Sequence, residues 1–195
     1  MQRTVATVVE VGRRLLDEEG PDAVTHLRIG ELTGIARTTI YRHFPDREAL
    51  LEAVLADGGD PAAEEEAPPD RFDTGSLVGD LDAFLDAVRR RSGRGRETQR
   101  LPHLLSHAER HGRFAELRDR RMDRLLTSLE TILERARERG ELDHRVEPPD
   151  AAAELLGPLF FRRFFLGQQL RPAQLRSARD DFLLVHGVEP PDATA

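Results

Sequence analysis

Of the seven residues Arg37–His43 (RTTIYRH), only Ile40 lacks a hydrogen-bonding side chain. Arg37, Thr38, Arg42 and His43 share one face of a short helix, and all four can donate hydrogen bonds or carry positive charge. Ile35 and Ile40 occupy the opposite side and anchor the segment from below. Arginine pairs in a bidentate manner with guanine, and threonine methyl groups meet thymine methyls. A tyrosine hydroxyl and an arginine at a helix start suit phosphate oxygens, as Tyr41 and Arg47 would. The chemistry on offer is recognition of a nucleic-acid duplex.

That face needs a rigid support. Leu27, Ile29 and Leu32 mark a short helix before it, and Gly34 supplies the backbone freedom of a tight turn. Pro45 stops the second helix, and Asp46 can cap a third that runs to Leu55 with Leu50, Leu51, Val54 and Leu55 inward. Residues 4–19 form an amphipathic helix on Val5, Val8, Val9, Gly12, Leu15 and Leu16, ended by Gly20-Pro21. Two short helices joined at a glycine turn make a helix-turn-helix, whose second helix lies in the DNA major groove.

The run Thr25-x-x-x-Ile29, Gly34-Ile35, Thr39-Ile40-Tyr41-Arg42-His43-Phe44, Asp46-Arg47-Glu48-x-Leu50-Leu51 resembles the TetR/AcrR family of transcriptional repressors. The resemblance implies that Arg37, Thr38, Thr39 and His43 face bases, and that Thr25, His26, Tyr41 and Arg47 hold phosphates. Two positions depart from the family pattern. Ala36 stands where Ser or Thr usually caps the recognition helix, a change that costs about 0.5–2 kcal/mol. Arg47 replaces the usual Lys and keeps the charge.

The net charge of −7 is unevenly spread. Seven acids against one base fall between Asp57 and Asp73, whereas residues 24–47 hold four Arg against Glu31 and Asp46. The local field governs attraction to DNA, so the acidic total does not oppose it. The chain has no cysteine, hence neither disulfides nor a thiolate metal site. Glu10, Arg13 and Arg14 interrupt any signal-peptide pattern, and the apolar run from Leu155 to Phe161 is too short to span a bilayer. These features suit a cytoplasmic protein that makes no membrane contact.

The expected architecture is all-α. It comprises a helix-turn-helix DNA-binding domain over 1–57, an acidic flexible linker over 58–75, an all-α regulatory and dimerisation bundle over 76–188, and a tail over 189–195. Apolar stripes predict helices from Ser76 to about Arg91, 100–111, 114–139, 150–167 and 172–186. The helix over 150–167 is apolar on all sides and must be covered all round. The resemblance implies a four-helix dimer interface there, for which Leu155, Leu159, Phe164 and Phe182 are candidates. It also implies an effector site within the bundle, lined by Phe84, Leu105, Phe114, Met122, Leu125, Leu126, Phe160 and Phe161. The other reading of those residues is plain core.

His103, His107 and His111 recur every fourth residue, but they drift round the helix and no fourth ligand stands nearby, so no metal is expected. No cofactor is expected either. Ser106 beside His107 lacks a nucleophile elbow, and no glycine-rich phosphate loop follows a strand, so an enzyme is not expected. The expected partners are a palindromic DNA operator, a small hydrophobic effector and a second copy of the chain. The alternative, suggested by Ala36 and the acidic stretch, is an effector-independent DNA-binding or protein-interaction module.

Overall fold

The computed structural model describes residues 2–56, 71–93, 97–109 and 112–191. Among these residues there are nine α-helices and no strand: α1 (Gln2–Glu19), α2 (His26–Thr33), α3 (Arg37–His43), α4 (Arg47–Leu55), α5 (Leu77–Gly93), α6 (Glu97–Ala108), α7 (Gly112–Glu138), α8 (Pro148–Phe160) and α9 (Pro172–Val185). The all-α expectation holds. The chain divides into two compact units, one of residues 1–67 and 96–120, the other of 68–95 and 121–195.

In the first unit, the stripe read from the sequence buries Val8, Leu15 and Leu16 of α1 with Ile29, Ile40, Leu50, Leu51, Val54 and Leu55. Gly12 lets α1 and α4 meet, since a Cβ there would lie 2.5 Å from the Val54 Cγ2. Arg13 then donates to the carbonyls of Val54 (3.3 Å) and Ala56 (2.9 Å), satisfying the otherwise open C-terminal end of α4. Leu104, Ala108, Phe114 and Leu117 sink into the same core. These residues of α6 and the start of α7 therefore pack with the reader's core, whereas the sequence reading placed them in the regulatory half. Their apolar stripe carried no mark of which core it would enter.

The second unit gathers Leu77, Leu81, Phe84 and Leu85 of α5, Leu129, Ile132, Leu133 and Ala136 of α7, Leu155, Leu156 and Leu159 of α8, and Leu175, Phe182 and Leu183 of α9. Fully buried Asp80 accepts from the Thr74 amide (2.6 Å), the Thr74 hydroxyl (2.7 Å) and the Arg139 guanidinium (2.9 Å). Burial disfavours the Arg139 charge, but hydrogen bonds and attraction from Asp80 and Glu141 outweigh it and raise its pKa. Most of the expected linker lies outside the described residues. Its end does not behave as a spacer, because Phe72 is buried edge-on against Phe84 (5.7 Å) and Asp73 pairs with Arg135 (3.1 Å).

Candidate nucleic-acid interface

Three local devices hold the reader. The Thr25 hydroxyl accepts from the Arg28 amide (3.2 Å) and caps α2. Gly34 ends α2 in the left-handed region (φ 70°) and makes the turn into α3. The Asp46 carboxylate accepts from the Ala49 amide (2.6 Å) and starts α4. Ala36 heads α3 with no side-chain cap, so the α3 start relies on its backbone carbonyl, which accepts from Thr39 and Ile40.

Ile40 is the buried anchor of α3. Arg37, Thr38, Tyr41 and Arg42 are exposed around it, while Thr39 and His43 are half-buried. The Nε2 atom of His43 is buried without a hydrogen-bond partner, which leaves Nδ1 as its remaining polar atom. Arg47 is half-exposed and donates to the Pro21 carbonyl (2.6 Å) and to Asp22 (3.2 Å), which steadies it beside the short turn Pro21–Ala23. α2 is anchored by Ile29 and His26; Leu27 and Leu32 are exposed.

One assignment needs correction. His26 is only 5% exposed and cannot hold a phosphate as expected. Its ring lies parallel to that of Tyr41 with centroids 4.0 Å apart, and its Nε2 is 2.7 Å from the Phe44 carbonyl. A carbonyl only accepts, so Nε2 carries the proton. The cause is the helical register: His26 opens α2 on the side that Ile29 buries.

The residues of the expected effector lining divide between the two units. Phe84 is buried in the second core, with Leu125 and Phe160 half-buried against it, and Leu126 is half-buried. Phe114 belongs to the first core instead. Leu105 and Met122 are each 46% exposed and Phe161 54% exposed, so none of the three lines an interior. Helical period fixes neighbours along one helix, not which core that helix meets.

The dimer candidates also move. Leu155, Leu159 and Phe182 are consumed by their own unit's core, and Phe164 is half-buried edge-on to Phe160 (5.8 Å). In and after α8 and α9, Phe161, Phe165, Leu166, Leu184 and Val185 are exposed instead. Phe161 and Phe165 stack at 5.2 Å where α8 widens into a π-helical turn over Phe161–Phe165. A helix apolar all round offered no signal for which Phe faces in.

Of the histidine series, His107 bonds through Nδ1 to the His103 carbonyl of its own helix (2.9 Å) and tilts against Phe114. His111 lies outside the described residues. Burial first, and then His107, lower the His103 pKa, opposed by Asp17. Among the described residues, no three His, Cys, Asp or Glu side chains form a metal-binding group.

With that geometry in place, residues 8–54 match the family described as "Bacterial regulatory proteins, tetR family". Residues 71–182 match "Tetracyclin repressor-like, C-terminal domain", more than half of the chain. The protein belongs to the TetR family. A curated relative, the "DNA-binding transcriptional repressor TetR" of Mycobacteroides abscessus, is 28% identical over 181 residues, 92% of each chain. The crystal structure of a TetR family transcription regulator superposes with a TM-score of 0.60 at 25% identity, covering 95% of this chain and 98% of that one. A putative transcriptional regulator from Saccharomonospora viridis, solved in complex with choline, shares the fold with a TM-score of 0.74 at 15% identity over 96% of this chain and 98% of that one.

The TetR-family chain is accordingly a DNA-binding transcriptional regulator, as its reader helix indicated. The recognised relatives are regulators rather than enzymes. No helix among the described residues is long and apolar enough to cross a membrane.

Proposed function

We propose that the protein is a homodimeric transcriptional repressor that reads a palindromic operator and leaves it when a small hydrophobic effector binds, acting in the cytoplasm. The observation that carries this reading is the edge of α3, where Arg37, Thr38 and Arg42 are exposed above a buried Ile40. Arg37, Thr38, Thr39, Arg42 and His43 would read bases, while Thr25, Tyr41 and Arg47 would hold phosphates.

A symmetric dimer would set two readers on half-sites about 34–36 Å apart, or a multiple of that. Exposed Phe161, Phe165 and Leu166 after α8, with Leu184 and Val185 exposed separately at the end of α9, support self-association, because exposed apolar clusters mark interaction sites. The core of the C-terminal unit is hydrocarbon, and its buried Asp80 and Arg179 are already paired, which favours an apolar effector. Such a molecule must bind the two conformations with different affinity to shift them.

Selection of bound sequences from a random duplex pool tests the first part, with an inverted repeat as the expected result. A small-molecule search for release from the selected duplex tests the second. A constitutive, effector-independent regulator is the second reading, favoured by the scattering of the expected pocket residues. It requires that no compound stabilises the protein in thermal shift, since stabilisation needs preferential binding to the native state.

A further inference from the structure

We propose that His26 is a positioning residue for DNA binding, holding the Tyr41 ring and the end of the recognition helix so that the Tyr41 hydroxyl meets a backbone phosphate ready-oriented. The inference rests on the reading of α3 as the DNA-reading helix. Three observations converge on one buried side chain. The imidazole lies flat under Tyr41, at 4.0 Å and 5° between planes, so it covers one face of the phenol and the ring cannot turn into that side. Its Nε2–H donates to the Phe44 carbonyl at the C-cap of α3, one of the terminal acceptors a helix cannot satisfy internally. Tyr41 itself remains 49% exposed, so about half of the residue stays open to a ligand.

A mobile phenol loses rotational freedom when it binds a phosphate, and a ring already held by a neighbour loses less. His26 reaches α3 from the first turn of α2, so a single side chain ties both helices of the reader together. No charge is needed for either contact, which separates this role from that of a phosphate-binding histidine. His26, buried on the inner side of α2, touches two points of α3 that bear on recognition.

The test is a double-mutant cycle in the full-length protein, read as affinity for the selected duplex at one stated salt concentration. In the wild type, Tyr41→Phe should weaken binding about tenfold, the scale of one hydrogen bond to a charged group. In a His26→Gln background, which keeps a donor for Phe44 but removes the stack, the same change should matter less than about twofold. In a His26→Phe background, which keeps the stack and loses the donor, the hydroxyl should retain most of its value. Circular dichroism checks that each variant is folded. If His26→Gln does not fold, the His26→Phe arm decides alone, and a hydroxyl worth nothing there overturns the proposal.

The chain has one tyrosine and no tryptophan, so emission excited at wavelengths that phenylalanine does not absorb comes from Tyr41 alone. Time-resolved anisotropy should show faster local ring motion in His26→Gln and unchanged motion in His26→Phe, a signature that a general loss of stability would not give. Equal Tyr41→Phe effects in all backgrounds, or a silent Tyr41→Phe in the wild type, overturn the proposal while the DNA-binding reading stands. Failure of the wild type to select any duplex overturns both.

Discussion

Arg100 on α6 holds Asp17 on α1 with a two-point grip, Nε to Oδ1 at 3.1 Å and Nη2 to Oδ2 at 2.7 Å. The Asp17 side chain is buried, so the pair operates where solvent screens little. Removing one partner of such a pair strands the other, at a cost of about 3 kcal/mol. Arg100→Ala should therefore lower the thermal midpoint, and adding Asp17→Ala should not double the loss. Strict additivity of the two substitutions would show the pair to be energetically idle.

Arg37 and Arg47 should fail in different ways. Loss of a base-reading arginine removes about 1–3 kcal/mol of discrimination, so Arg37→Ala should bring specific and random duplex affinities closer together. Arg47→Ala should weaken both duplexes alike and lower the salt slope by about one. Because Arg47 also holds Pro21 and Asp22, its variant needs a melting curve beside the binding curve. Identical specificity ratios in the two variants would refute the division of roles.

The uncapped start of α3 can be improved. Ala36→Ser offers an oxygen to the first-turn amides and should stabilise the protein by about 0.5–2 kcal/mol. For a chain of this length that raises the midpoint by roughly 2–4 °C per kcal/mol. An unchanged or lower midpoint would mean that the α3 backbone cannot accept a side-chain cap.

Acid should loosen the packing around His103. Burial, reinforced by His107, disfavours its protonated form in the folded state, while the unfolded chain titrates near the ordinary value of 6.5. Below that value the unfolded state binds more protons, so the stability held by neutral His103 is present above it and lost as pH falls through it. His103→Gln should flatten the decline in thermal midpoint between about pH 7.5 and pH 5.5. Parallel curves for variant and wild type would assign the decline to other groups.

The Phe161–Phe165 stack offers the clearest route to separating assembly from folding. Phe165 is 79% exposed, so Phe165→Glu removes little intramolecular packing but would place a charge in an apolar subunit contact. Sedimentation should show dimer converting to monomer with the helical signal intact, together with loss of tight operator binding. A dimer that survives Phe165→Glu and Phe161→Glu together would place the interface elsewhere.

The sequence by itself determined the helices, the reader and the direction of its polar edge. Those features are local: a cap at Thr25, a glycine turn at Gly34, a stop at Pro45, and apolar residues recurring at three and four. Tertiary structure alone decided the rest. Leu104 and Phe114 joined the reader's core although their stripe matched that of Leu129 and Ile132. Phe160 packed against the second core and Phe165 stayed outside, although nothing in either residue's spacing distinguishes those fates. Periodicity specifies which side chains share a face. What that face meets depends on residues distant in the chain, and so does whether a polar group finds its partner in solvent, in DNA or in the Phe44 carbonyl.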